Sequence, residues 1–360
     1  DHFVLNGTKM WISNAKLANF FLVMAKLDGE HVTAFLVERD FPGVSIAREE
    51  HKLGLKGSST ARLLLENAIV PKENMLYEPG KGHHVAFNAL NMGRFKLGAM
   101  SIGPARQAIG LASAYGQDRK QFGQSITQFG LIRQKFADMA AHYFAIESML
   151  YRTGHNIDGA FAQSDGSIDA NRAAAEEFAV ECSACKVFVT EVESRIVDDC
   201  LQVYGGYGFT EEFPIARLYR DARVSRIYEG TNEINRIFLA DRLVRRANEG
   251  KCSLDAASDS FISELAGKAF QKFGKEQEVL GALSDLAILN LAEQSARLRS
   301  KKTGELGLAA YARFTNWANT QAAFAYQRVT GEAVNVPAPL PNSTDDLAEA
   351  ILSRGEPLEF

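Results

Sequence analysis

The spacing of apolar residues changes once along this chain, at Gly80-Lys81-Gly82, and that change limits what it can fold into. Before it, apolar residues come in short runs cut by turn residues. Phe20-Phe21-Leu22-Val23-Met24-Ala25 is followed by Asp28-Gly29, then by an apolar run over 31–37, then by Pro42-Gly43. A further run over 61–66 closes toward Val70-Pro71. Phe3-Val4-Leu5 and Lys9-Met10-Trp11-Ile12 flank Asn6-Gly7, and both turn residues tolerate positive φ, so a hairpin is predicted there. Short strands with no helical spacing between them predict an antiparallel β-domain over 1–78.

After the change the period is helical. Phe136, Met139, Ala140, Tyr143, Phe144, Glu147 and Leu150 keep the i, i+3, i+4, i+7 spacing of a buried stripe. Helices are predicted over 85–116, 129–160, 168–203 and 232–248, a four-helix bundle spanning 79–249. Gly205-Gly206-Tyr207-Gly208 interrupts it, because a helix interior does not tolerate that glycine density. Helical spacing resumes with Val279, Leu280, Leu283, Leu286, Ala287, Asn290 and Leu291, and again over 309–326. The proline-rich stretch 336–341 reads as an extended connector. Thr344 then reads as an N-cap, with Asp345 and Asp346 favouring the positive end of a helix. The expected fold class is α+β multidomain: β-domain, four-helix bundle, and an appended helical domain over 250–360.

Composition excludes several classes. The 360 residues carry 40 Lys+Arg against 44 Asp+Glu, a net charge of −4, which makes no electrostatic case for nucleic acid. Four Cys are no disulfide scaffold and suit a reducing compartment. No apolar run approaches the roughly 18–20 residues of a membrane span. Asp1-His2-Phe3-Val4-Leu5 starts inside a strand with no leader pattern, so a fragment is expected.

Several positions could carry chemistry. In Ile227-Tyr228-Glu229-Gly230-Thr231-Asn232-Glu233, a carboxylate sits on a tight connection between helices. Glu229 is either a solvated helix-end acid or a general base with a pKa raised by desolvation. Arg119-Lys120-Gln121-Phe122-Gly123 either holds a phosphate or is a polar loop. Gln202 through Gly208 either lets a ligand approach the backbone or caps a helix; without a preceding strand it is no dinucleotide fingerprint. Trp11-Ile12-Ser13-Asn14 either covers a flat ring or packs in the core. Cys182 and Cys185 have no second pair to complete the about four ligands zinc needs, and no metal site is expected. His83-His84 reads as a loop pair.

Taken in order, these motifs resemble the acyl-CoA dehydrogenase family. They run from Trp11-Ile12-Ser13-Asn14 through Leu53-Gly54-Leu55-Lys56-Gly57-Ser58-Ser59-Thr60 and Arg119-Lys120-Gln121-Phe122-Gly123. Gln202-Val203-Tyr204-Gly205-Gly206-Tyr207-Gly208-Phe209, Arg220-Asp221-Ala222-Arg223 and the Glu229 segment complete them. The segment after 250 looks like the extension of the very-long-chain branch. The resemblance implies a helical N-terminal domain and a flavin-contacting segment that would precede Asp1.

The resemblance also implies FAD-dependent α,β-dehydrogenation of long-chain acyl-CoA in fatty acid β-oxidation, with Glu229 as base. The position some branches use for the base matches Gly93, which cannot serve and leaves room for a long acyl chain. Trp11 and Ser13 would meet the flavin ring. Arg119, Gln121, Phe122, Phe129, Gln202, Gly205 and Gly206 would hold its pyrophosphate and adenosine, and Thr231 and Glu233 would touch it. Ser58, Asn91, Arg94 and Gly230 would meet the acyl-CoA. Implied partners are an electron-transfer flavoprotein and further copies of the chain in a homodimer or homotetramer. The amphipathic helices over 250–360 either make peripheral membrane contact, replace a second dimer contact, or are the buried stripes of an ordinary helical domain. The implied location is a bacterial cytoplasm or a mitochondrial matrix. A non-catalytic scaffold of the same fold and an acyl-CoA oxidase-like enzyme are the alternatives.

Overall fold

The computed structural model describes residues 1–249, 260–272, 274–341 and 344–354. Cys252 and the side chains of His83 and His84 lie outside them. The chain divides into two compact units, 1–90 and 91–360.

The first unit holds β1 (His2–Ser13), β2 (Phe20–Leu27), β3 (His31–Glu38), β4 (Val44–Glu49), β5 (Thr60–Pro71) and the short β6 (Met75–Leu76). They form two antiparallel three-stranded sheets, β1-β5-β4 and β2-β3-β6. Leu5, Phe21, Val23, Phe35, Val37, Leu63, Leu65 and Val70 make its core. The hairpin predicted at Asn6-Gly7 is not formed. β1 runs through it and pairs with β5 along its whole length. Leu5 faces Ala68 and Gly7 faces Leu65, so Glu66 and Asn67 together oppose Asn6 in a bulge. Asn6 accepts from the Asn67 backbone N–H at 2.8 Å and donates to the Asn67 amide oxygen at 3.2 Å. The extra residue also explains β5: its buried positions step 61, 63, 65 and then 68, 70. Asn-Gly thus serves a long strand pair here, because the segments flanking it pair with β5 and not with each other.

The helical elements are α1 (Gly82–Asp118), α2 (Gly130–Ala162), α3 (Ile168–Glu177), α4 (Ala179–Tyr204), α5 (Pro214–Ala222) and α6 (Asn232–Asn248). After residue 260 come α7 (Phe261–Phe270), α8 (Gln277–Ser300), α9 (Gly304–Thr330) and α10 (Thr344–Arg354). The helix predicted over 168–203 is two helices. Phe178 leaves helical geometry at φ −96°, ψ 16°, and re-aims the chain so that α4 buries Cys182, Cys185, Val189 and Ile196 beside α2. Tertiary packing overrides the alanine-rich propensity of that stretch. Two short helices escaped the periodicity. α5 starts with Pro214 in its first turn and buries Ile215 and Leu218, and α7 buries Ile262 and Leu265.

One apolar core runs through α1, α2 and α4 and continues into α8, α9 and α10, with Phe136, Phe144, Ile196, Leu286, Phe314 and Ile351 in it. Polar ties reinforce this: Arg313 of α9 pairs with Asp138 of α2 at 2.8 Å, and Arg133 of α2 with Asp345 of α10 at 2.7 Å. No helix among the described residues is long and apolar enough to cross a membrane. Cys182, Cys185 and Cys200 are core residues, and burial pushes the Cys182 thiol up to about 12.

Glu193 of α4 is a carboxylate buried in this region. It is 3% exposed, and one of its carboxylate oxygens has no hydrogen-bond partner among the described residues. Burial pushes its pKa up to about 7, against the Ser101 and Ser225 hydroxyls. A folded-state pKa raised above the unfolded value means the folded chain holds the extra proton between roughly pH 4.5 and 7. Stability on this account is full below pH 4.5 and falls as pH rises through 7. Glu193→Gln is therefore expected to raise the melting temperature at pH 8 and to leave it nearly unchanged at pH 4.5, as read by calorimetry.

Candidate active site

The site is built around a backbone conformation. Glu229 lies between α5 and α6 with φ of +58°, followed by Gly230 at +81°. A bulky residue at positive φ costs on the order of 1–3 kcal/mol and persists only where its surroundings impose it. Those surroundings are specific. Lys186 of α4, with no exposed surface, donates its ammonium to the Gly230 carbonyl at 2.8 Å and to the Asn232 amide oxygen at 2.6 Å. The Asn235 amide nitrogen lies 2.8 Å from the Gly230 oxygen, 3.0 Å from that of Thr231 and 3.4 Å from that of Glu229. One hydrogen bond from a charged donor contributes roughly 1.5–3 kcal/mol, enough to offset the strain.

The Glu229 side chain is half-buried and points at Gly93 of α1. A Cβ added at position 93 would lie 2.9 Å from Glu229 Oε2. The two places where the resemblance puts a base are thus neighbours in space, one of them vacated. Arg94 is 4% exposed; burial lowers its pKa, and the Glu229 carboxylate opposes that shift. Its guanidinium lies 4.5 Å from the centre of the Phe238 ring and donates weakly to Asn91 at 3.3 Å and Ser183 at 3.5 Å. Its Nε has no hydrogen-bond partner among the described residues. A buried cation with an unsatisfied donor beside a half-buried carboxylate is a polar arrangement suited to a ligand. Burial pushes the Lys186 ammonium down to about 8; Glu191, Glu233 and Glu229 oppose this and Arg94 adds to it.

Thr231 caps α6, its hydroxyl accepting from the Ile234 N–H. Glu233 is exposed in the first turn, its carboxylate held below the usual range by its own backbone N–H and the Thr231 hydroxyl.

A second group of predicted residues gathers at the far end of α4. A cavity of about 500 Å³ is lined by Tyr115, Arg119, Tyr204, Gly205, Gly206 and Tyr207 among others. Arg119 lies over the Tyr207 ring at 5.6 Å, and Tyr115 stacks on Tyr204 at 4.1 Å. Gly205 ends α4 at φ 59°, ψ −137°, a conformation reserved for glycine. A Cβ at Gly205 or Gly206 would meet nothing within 4 Å, so the backbone there is open. The loop after Arg119 is a miniature hairpin, Lys120–Gln121 against Gln124–Ser125, with Phe122 and Gly123 both at positive φ. Phe122 is 92% exposed and meets Phe129 edge-on at 6.1 Å. Gln121 and Gln202 are exposed nearby in sequence, outside the cavity lining.

Trp11, Ser13 and Ser58 belong to the first unit. The core alternative for Trp11 is overturned: it is 69% exposed, at φ +54°, on a bulge where Met10 and Trp11 oppose Arg62. Ser13 is exposed at the end of β1. Ser58 is exposed beside Lys52, and both line a cavity of about 560 Å³. Among the described residues, eight non-glycine positions have positive φ, and Trp11, Phe122 and Glu229 are three of them. Strained backbone of this kind clusters at active sites and ligand clamps.

The profile of the acyl-CoA dehydrogenase C-terminal domain matches residues 80–244, and that of the middle domain residues 1–68. A Bacillus anthracis acyl-CoA dehydrogenase crystallised with FAD superposes with a TM-score of 0.90 at 36% identity, covering 99% of this chain and 71% of that one. The chain belongs to the acyl-CoA dehydrogenase family. A probable acyl-CoA dehydrogenase of Bacillus subtilis is 41% identical over 341 positions, covering 84% of this chain and 57% of the relative. The very long-chain specific mitochondrial acyl-CoA dehydrogenase of Macaca fascicularis is 41% identical over 248 positions, covering 66% of this chain and 36% of the relative. The chain thus spans about a third to somewhat over half the length of these curated relatives.

Lys186 and Asn235, which hold the Glu229 loop, were not singled out from the sequence. The signal was present for Lys186: a lone cation within Ala184-Cys185-Lys186-Val187-Phe188-Val189, where burial demands a partner. The close approach at position 93 generates a test. Gly93→Ala should fold normally, because the displaced group is the mobile end of a side chain. On a reading of Glu229 as base, it should slow substrate-driven flavin reduction by about tenfold through a misplaced carboxylate, as read by stopped-flow absorbance.

Proposed function

We propose that this chain is the dehydrogenating part of a FAD-dependent acyl-CoA dehydrogenase and that Glu229 is its base. The observation that carries the reading is the Glu229 carboxylate, fixed on a strained loop opposite a side-chain-free position, with two buried cations, Arg94 and Lys186, in its field. A carboxylate so placed can take the α-proton of an acyl thioester. A free carboxylate is far too weak a base for that step alone. We assign the Glu229 backbone N–H as a donor to the thioester oxygen, where one preorganised donor is typically worth about 3–4 kcal/mol. An acyl chain bound over the carboxylate would exclude water from it and strengthen it as a base.

The residues around the 500 Å³ cavity fit a dinucleotide flavin. Arg119 supplies a cation for the pyrophosphate, open glycine backbone at 205 and 206 allows close approach, and Tyr207 offers a flat face. Gln121, Phe122, Phe129, Gln202, Thr231, Glu233, Trp11 and Ser13 are proposed as further flavin contacts, and Ser58, Asn91, Arg94 and Gly230 as acyl-CoA contacts. A bound flavin supplies the acceptor for the β-hydride. Phe122 and Phe209, 92% and 88% exposed, support a homo-oligomer that covers them. An electron-transfer flavoprotein is the proposed electron acceptor. Long acyl chains are the proposed substrates, supported by the likeness to the very long-chain relative.

Titrating the flavin-loaded protein with acyl-CoAs of increasing chain length tests this. Bleaching of the visible flavin band, strongest with long chains, is expected; no bleaching by any acyl-CoA would refute the reading. Glu229→Gln should keep the flavin band and lose bleaching, and retained turnover would place the base elsewhere.

A further inference from the structure

A chain of hydrogen bonds leads from the Glu229 loop to a helix outside the matched family domain. Gly230 accepts from Lys186, and Lys186 also donates to the Asn232 amide oxygen at 2.6 Å. The Asn232 amide nitrogen donates to Glu191 Oε1 at 3.0 Å. Glu191 is gripped by both terminal nitrogens of Arg236, at 2.7 and 2.9 Å. Arg236 Nε then donates to Asp285 of α8 at 2.7 Å, and Ser284 of α8 donates to the Arg236 carbonyl at 2.6 Å. Profile matching to the family domain ends at residue 244, whereas α8 spans Gln277–Ser300.

We infer that α8 positions the base: Asp285, acting through Arg236, Glu191, Asn232 and Lys186, holds the Gly230 carbonyl and with it the Glu229 carboxylate. The inference rests on Glu229 being the base. The geometry favours a positioning role over a purely cohesive one. Arg236 commits all three guanidinium nitrogens, the fork to Glu191 and Nε to Asp285, so a change at Asp285 alters the orientation of the whole fork. Lys186 and Asn232 are 0% and 2% exposed, so water does not readily replace a lost partner. The strained Glu229–Gly230 backbone is the part with the most to gain from release. Asp285, Arg236 and the groups between them are positioning residues, not catalytic ones.

The comparison that tests this uses three variants of the flavin-loaded protein. Asp285→Asn keeps the shape and removes the charge. It should speed amide hydrogen exchange across 227–235 and slow flavin bleaching by a saturating acyl-CoA about tenfold, with KM changed less than about twofold. Asp285→Glu should restore most of the rate. Arg313→Gln removes another tie between the C-terminal helices and the bundle, the pair with Asp138, and should lower the melting temperature without changing exchange at 227–235 or the bleaching rate. Unchanged exchange in Asp285→Asn overturns the inference, as does changed exchange with an unchanged rate, or an equal loss in Arg313→Gln. If the parent protein bleaches with no acyl-CoA, the proposed activity falls and the exchange arm still decides whether α8 holds the loop.

Discussion

The contact on which the site depends is the Lys186 ammonium against the Gly230 carbonyl. A lysine with no exposed surface loses the hydration of its charge, and several kcal/mol must be recovered from partners inside the protein. It finds them in one backbone carbonyl and one amide oxygen, both in the segment that carries Glu229. The same contact serves two ends. It satisfies a buried cation, and it holds the backbone where a glutamate takes up a left-handed conformation that it avoids elsewhere. Without the cation the Gly230 carbonyl keeps the Asn235 amide as its partner among the described residues.

This arrangement places three charges of different character in one small volume. Arg94 and Lys186 are both pushed toward their neutral forms by burial, and Glu229 opposes that shift in each. The carboxylate is the first charge that opposes the shift of Arg94, whereas for Lys186 Glu191 and Glu233 oppose it more strongly. A ligand with a polarised carbonyl would enter a site already organised for negative charge, which is the physical content of the proposed chemistry. The C-terminal helices share an apolar core with the bundle, and Asp285 of α8 pairs with Arg236 of α6.

Much of the fold was legible because periodicity is a local signal. The strands at 20–27 and 31–38 and the long helices α1, α2, α6, α8 and α9 all follow from spacing and turn residues. The failures have physical causes. Asn6-Gly7 carries every local mark of a hairpin, but the partner of its flanks is β5, some sixty residues on. The break at Phe178 is set by how α4 must lie against α2, which no propensity encodes. Trp11 could be read as core from its chemistry, and a register shift turns it outward.

The division of labour at the site is similar. The sequence alone determined that a glutamate precedes a glycine on a tight link between helices, that a glycine-rich turn follows a long helix, and that a lysine sits among apolar residues. Each is a property of neighbours along the chain. Only the tertiary structure decided that Gly93 faces Glu229, that Lys186 reaches across to the loop, and that Arg236 joins it to Asp285. Those contacts span 44 to 136 positions of chain, and side chains so far apart meet only when the burial of whole helices brings them together.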